Sequence, residues 1–71
     1  MTDARIKVNY KPLWKLLIDC EMTKGELRNK TGIAGSTFSK MANNEKVSLD
    51  VLARICIALD CGLDEVVEIE R

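Results

Sequence analysis

The stretch Thr23 to Met41, TKGELRNKTGIAGSTFSKM, leaves little choice but two short helices set at an angle about one glycine turn. Thr23 and Glu26 form a capping box: the hydroxyl accepts from an early helical N–H while the carboxylate reaches back to the cap residue, so a helix begins here. That helix is expected over Lys24 to Lys30. Gly32 falls just past its end, where a left-handed backbone is cheap only without a Cβ, and Ile33 then turns back toward a core. A second helix is expected over Ser36 to Ala42, with Phe38 and Met41 on its inner side. Gly35, Ser36, Thr37, Ser39 and Lys40 lie elsewhere on it, an outward surface of small polar groups and one cation.

The flanking chain reads as further helices. Pro12 suits a first helical turn, where its missing N–H costs nothing, so a helix is expected from Lys11 or Pro12 to about Cys20. Leu13, Leu17 and Cys20 share its inner face, widened by Trp14 and Ile18, and Trp14 reads as core packing. Asn44 is expected to take the left-handed position that ends the second short helix. Ser48 then caps a helix over Leu49 to Leu59, whose Leu52, Ile55, Cys56 and Leu59 repeat at helical spacing. Val51, Ile57 and Ala58 extend that apolar surface nearly all round, so the helix is either surrounded or has a spare face for a second subunit. Gly62 and Glu65 start a last short helix, Leu63 to Val67. Outside the helices, Arg5 to Val8 and Val67 to Glu70 alternate charged and apolar residues, the period of a half-buried strand. Two such stubs can pair as a ribbon, within one chain or across two.

Length allows one small domain, residues 1–71, with no room for a second. Met1 to Asn9 is polar and charged, and no apolar run approaches the roughly 20 residues a bilayer needs, so the cytoplasm is the expected location. Cys20, Cys56 and Cys61 are odd in number, lack a CxxC spacing and have no histidine beside them, so they are expected as reduced core thiols rather than disulfide partners or metal ligands. Net charge is zero but segregated. Residues 1–46 hold nine basic against five acidic side chains, and the remainder holds two against six. One basic and one acidic face are expected, and only the basic face need approach phosphate.

Leu27, Gly32, Ile33, Phe38 and Met41 are spaced like the internal anchors of a helix-turn-helix over residues 23–42. With VSLDVLARICIALDCGLDEV downstream, the chain from Leu13 to Val67 resembles a Cro/C1-type (XRE family) helix-turn-helix domain. YKPLWKLLID, ELRNKTGI and DVLARICIALDC are similar in particular to the short stand-alone regulators of glycopeptide-resistance gene clusters. The resemblance implies an all-α fold, a five-helix lambda-repressor-like bundle with the terminal strand stubs beside it, and a sequence-specific transcriptional regulator that binds double-stranded DNA. It places Gly35, Ser36, Ser39 and Lys40 of the recognition helix, residues 36–42, against base edges in the major groove. Phosphates are expected at Thr23 and Lys24, where helical N–H groups and the dipole favour an anion, with Arg28, Asn43, Asn44 and Lys46 on the flanks. Regulators of this class usually pair two-fold on half-sites, so a homodimer is expected, through the strand stubs or the Arg54, Ile57 and Cys61 side of the fourth helix.

Three positions depart from the family pattern. Gly25 is a costly residue inside a helix, though softened by its place in the first turn. Arg28 stands where the family usually has a small residue that lets the two helices approach, and its stem is expected to run along the turn with the guanidinium emerging at the DNA-facing side. Ala34 replaces the usual serine or threonine cap, so the recognition helix relies on Gly35 or Ser36 to begin. The rival reading is a protein-interaction module of the same fold that has lost DNA binding. An enzyme is not expected: there is no histidine, no phosphate-cradling glycine loop after a strand and no convergent carboxylate pair, and no cofactor, small-molecule ligand or membrane partner is indicated.

Overall fold

The computed structural model describes residues 6–70. In chain order these form β1 (Lys7–Asn9), α1 (Lys11–Asp19), α2 (Lys24–Thr31), α3 (Gly35–Ala42), α4 (Leu49–Leu59), a single 3-10 turn (Leu63–Glu65) and β2 (Glu68–Glu70). The described residues therefore hold four α-helices rather than five, and a small ribbon accompanies them. The expected fifth helix contracts to one turn. Its Glu65 carboxylate takes the Gly62 N–H at 3.1 Å, as foreseen, but Val66 must drop fully into the core while Leu63 stays 45% exposed. A continued α-helix would have turned Leu63 and Val67 inward together.

The two stubs pair within the chain. β1 and β2 run antiparallel with Lys7 opposite Glu70, Val8 opposite Ile69 and Asn9 opposite Glu68. The strand lies later than Arg5 to Val8, and Arg5 itself is outside the described residues. Asn9 explains the shift: it is 3% exposed, its Oδ1 accepts from the Lys11 N–H at 3.1 Å, and its Nδ2 donates to Glu70 Oε2 at 3.0 Å. One buried amide thus ends β1, starts α1 and holds β2. Tyr10, the next residue, is 1% exposed and donates its hydroxyl to the Glu45 carbonyl at 2.6 Å, tying the α3–α4 loop to the start of α1. Tyr10→Phe keeps the ring and removes this bond. It is expected to cost about 1 kcal/mol and to lower the melting temperature by roughly 4–8 °C, read by thermal circular dichroism.

The helix ends follow local chemistry. The α2 capping box forms, with Thr23 Oγ1 accepting from Glu26 N at 3.1 Å and Glu26 Oε1 from Thr23 N at 2.8 Å. Ser48 Oγ caps α4 by accepting from Val51 N at 3.3 Å. Gly32 is left-handed at φ 72°, and so are three residues with a Cβ: Glu21 after α1, Asn44 after α3 and Asp60 after α4. Each of those three is followed by an N–H that bonds five residues back: Met22 to Leu17, Glu45 to Lys40 and Cys61 to Cys56. This closing bond satisfies a last-turn carbonyl and offsets the left-handed cost. α2 runs one residue past Lys30, because the Thr31 hydroxyl donates to the Leu27 carbonyl at 2.8 Å.

The core comprises Leu13 and Leu17 of α1, Leu27 of α2, Phe38 and Met41 of α3, and Leu52 and Ile55 of α4, with Tyr10, Ile33 and Val66 joining from the connections. The four apolar pegs about the turn, Leu27, Ile33, Phe38 and Met41, are all buried as their spacing requires. α1 is narrower inside than expected. Ile18 is 76% exposed, Trp14 is only partly buried, and Cys20 is exposed after the helix. Cys56 and Cys61 are half-buried, so no thiol is sealed in the core. Burial pushes the Cys61 thiol up to about 11, with the neighbouring Cys56 and the Glu65 and Asp60 carboxylates adding to the shift. At neutral pH it is protonated and a poor nucleophile. Among the described residues, no helix is long and apolar enough to cross a membrane.

Candidate nucleic-acid interface

α3 begins at Gly35, one residue earlier than expected, with Ala34 extended at the cap position and contributing no side-chain bond. Its first turn closes on backbone alone, through Thr37 N and Phe38 N to the Ala34 carbonyl at 3.1 and 3.3 Å. Phe38 and Met41 fasten the inner side to the core, and the 3.6-residue period then turns Ser36, Ser39 and Lys40 outward, where all three are exposed. Gly35 and Thr37 are half-exposed on the flanks of that surface. Hydroxyls and one ammonium can donate to base or phosphate oxygens, and none of these side chains is needed to hold the helix.

At the start of α2 the geometry is more selective than a bare helix end. The Glu26 carboxylate folds back onto the Thr23 N–H, setting a negative charge beside the end that was expected to attract phosphate. Positive charge there comes from Lys24, whose Nζ stands 4.2 Å from the centroid of the Trp14 ring. Trp14 was read as core packing alone. It is partly buried against the core and also steadies the cation, a role with no sequence signal because the pair lies ten positions apart across a turn. Lys24→Met is expected to shift the emission of the single tryptophan and to cost about 0.5–1 kcal/mol, read by fluorescence and denaturant titration.

Arg28 does not lie beside a small gap. Its guanidinium packs on Gly35, with Cζ 3.4 Å from where a Cβ on that residue would stand and both Nη atoms at 3.6 Å. The α3–α4 connection carries the remaining candidates. Lys40 and Lys46 line one groove with Thr37 and Ser48. Asn43, Asn44 and Lys46 line a second one beside β1, with Lys7 on its wall. Lys46 is shared by both, so the recognition helix and the loop after it form a continuous polar and cationic margin.

The expected pairing residues lie apart from that margin. Arg54 forms an exposed ion pair with Asp50, Nε to Oδ2 at 3.0 Å, which engages it within its own helix. Ile57 is 81% exposed and lines a shallow groove between α2 and α4 with Lys30, Thr31, Arg54 and Ala58. Cys61 is half-buried beyond the end of α4.

Among solved structures, the fold is similar to that of the transcriptional regulator VanUg in crystal form II, with a TM-score of 0.89 and 49% sequence identity over 92% of this chain and 87% of that one. No curated protein matches the sequence. The family model for the Cro/C1-type helix-turn-helix DNA-binding domain matches residues 12–71. A tight turn flanked by buried pegs, a helix with a polar exterior and this match over most of the length lead to one assignment: the chain belongs to the Cro/C1-type helix-turn-helix DNA-binding family.

Proposed function

We propose that the protein is a sequence-specific transcriptional regulator that lays α3 in the major groove of duplex DNA. The observation that carries the reading is the division of α3, whose Phe38 and Met41 are locked inside while Ser36, Ser39 and Lys40 are exposed in a chain of a DNA-binding family. Ser36, Ser39 and Lys40, with the Gly35 backbone, meet base edges, and lysine favours guanine O6 and N7. Thr23 meets phosphate with its own hydroxyl proton, since a hydroxyl that accepts from Glu26 N still has one to donate. Lys24, Asn43, Asn44 and Lys46 complete the phosphate contacts along the same margin. Its place of action is the cytoplasm.

The working unit is a homodimer, because one such surface holds too few base-reading groups to discriminate alone. The apolar Ile57 side of α4 is the surface that supports pairing, since 81% exposure of an isoleucine beside a groove is better satisfied by a second copy than by water. With β1 and β2 already paired to each other within the chain, α4 rather than the ribbon is the proposed seam. Sedimentation should show a dimer at high micromolar concentration or on DNA, and a monomer under both conditions removes this part of the proposal.

Duplex binding measured by fluorescence anisotropy across a salt series tests the whole reading. Neutralising about three phosphates per subunit gives a log–log slope of about −2.7 per monomer and twice that for a dimer. A flat salt response would sink DNA binding and favour a protein-interaction role for the same fold.

A further inference from the structure

We propose that Arg28, although it belongs to α2, supplies the base-reading side chain that Gly35 lacks at the head of the recognition helix, and that it reads a guanine. The proposal rests on the DNA-binding reading above. Gly35 needs no glycine for its backbone: it lies in α3, and Gly32 is the glycine with positive φ. At the first residue of a helix glycine is neither required by the backbone nor costly, and what sets it apart is the space it leaves. The three nearest atoms to a Cβ placed there are all of the Arg28 guanidinium, at 3.4, 3.6 and 3.6 Å, so a methyl would fit in contact with the fork and a longer side chain would compete for its place. Arg28, a departure from the family pattern, and Gly35 therefore form one device. The missing side chain is the seat for a planar fork delivered from the neighbouring helix.

Among the described residues, nothing answers the charge in that seat. The first turn of α3 has no acidic residue, and Ala34 provides no cap. Among the described residues Arg54 is held by Asp50, and no carboxylate pairs with Arg28. A guanidinium beside the positive end of a helix is unfavourable until an outside acceptor meets it. It stays charged at any working pH and presents its donors in a fixed plane that matches guanine O6 and N7 bidentately. Because the first residues of a recognition helix are those that meet base edges, a fork resting on Gly35 is carried to base level rather than to the flanking phosphates. Ser36 and Ser39 discriminate weakly and Lys40 is a flexible point charge. Arg28 is then the group with the geometry to specify one base.

Selection from a randomised duplex library, run with wild type, Arg28→Lys, Arg28→Ala and Gly35→Leu, tests this. Wild type should enrich a motif with guanine at one position. Arg28→Lys keeps the charge and loses the fork, and Gly35→Leu keeps the arginine and fills its seat. Arg28→Ala and Gly35→Leu should lose roughly 10- to 100-fold of guanine preference at that single position, and Arg28→Lys, which keeps a guanine-favouring cation without the fork, should lose less than either, with its other positions and its salt slope unchanged. Full guanine preference in Arg28→Ala overturns the proposal. So does an Arg28→Ala variant that weakens all sequences evenly and reduces the salt slope by about one, the mark of a phosphate contact. A wild type that enriches no motif overturns the DNA-binding reading and this inference together, whereas an enriched motif untouched by the variants overturns this inference alone.

Discussion

Leu27→Ala is expected to remove about a quarter or more of the conformational stability of the protein. Leu27 has no solvent exposure and lies on α2, which packs directly against α4. Truncating a buried leucine costs about 2.7–5 kcal/mol, the lost transfer energy plus the cavity that neighbours fail to fill. A chain of 71 residues has only roughly 4–11 kcal/mol to lose. Urea titration should show the midpoint falling sharply with the slope unchanged. Ile57→Ala, at an 81% exposed site, should stay within about 0.5 kcal/mol under dilute conditions. A loss below about 1 kcal/mol for Leu27→Ala would mean that α2 is not seated on the core as described, and the turn would lose its anchor.

Reversing two charges should act on binding as strongly as Leu27→Ala acts on folding. Lys24→Glu with Lys40→Glu is expected to weaken duplex binding about 100-fold or more at low salt, since each change removes a cation that meets the duplex, Lys24 at phosphate and Lys40 at a base edge, and puts an anion in its place. The salt slope should fall by at least about 0.9, for the one phosphate neutralised at Lys24. Both lysines are exposed, so the fold should remain, apart from the small loss when Lys24 leaves Trp14. Gel retardation with circular dichroism on the same samples separates the two effects. Retardation equal to wild type from a folded double variant would place any DNA contact away from α2 and α3.

The two experiments interrogate opposite sides of one helix pair. Leu27 and Met41 are fully buried, whereas Lys24 and Lys40 on the same helices face out. Polarity around a short rod is therefore what converts packing into presentation: the pegs hold the orientation, and the outward groups use it.

Much of this was readable from short spans of sequence. Thr23 and Glu26 specify their own capping box, Gly32 and Asn44 their left-handed ends, Ser48 its cap, and Leu49 to Leu59 a helix with the bounds observed. These are contacts within a few residues, whose energies depend little on what lies beyond them. Only the tertiary structure decided which of several apolar residues go inside, because burial depends on where other helices stand. Cys20 shared the expected inner face with Leu17, and Ile18 widened it, yet both ended outside, and Leu63 stays exposed where Val66 is buried. The same holds for Asn9 binding Glu70, for Tyr10 reaching Glu45 and for Arg28 resting on Gly35. Each joins residues from separate elements, and periodicity has no term for a partner that arrives only after the chain has folded back on itself.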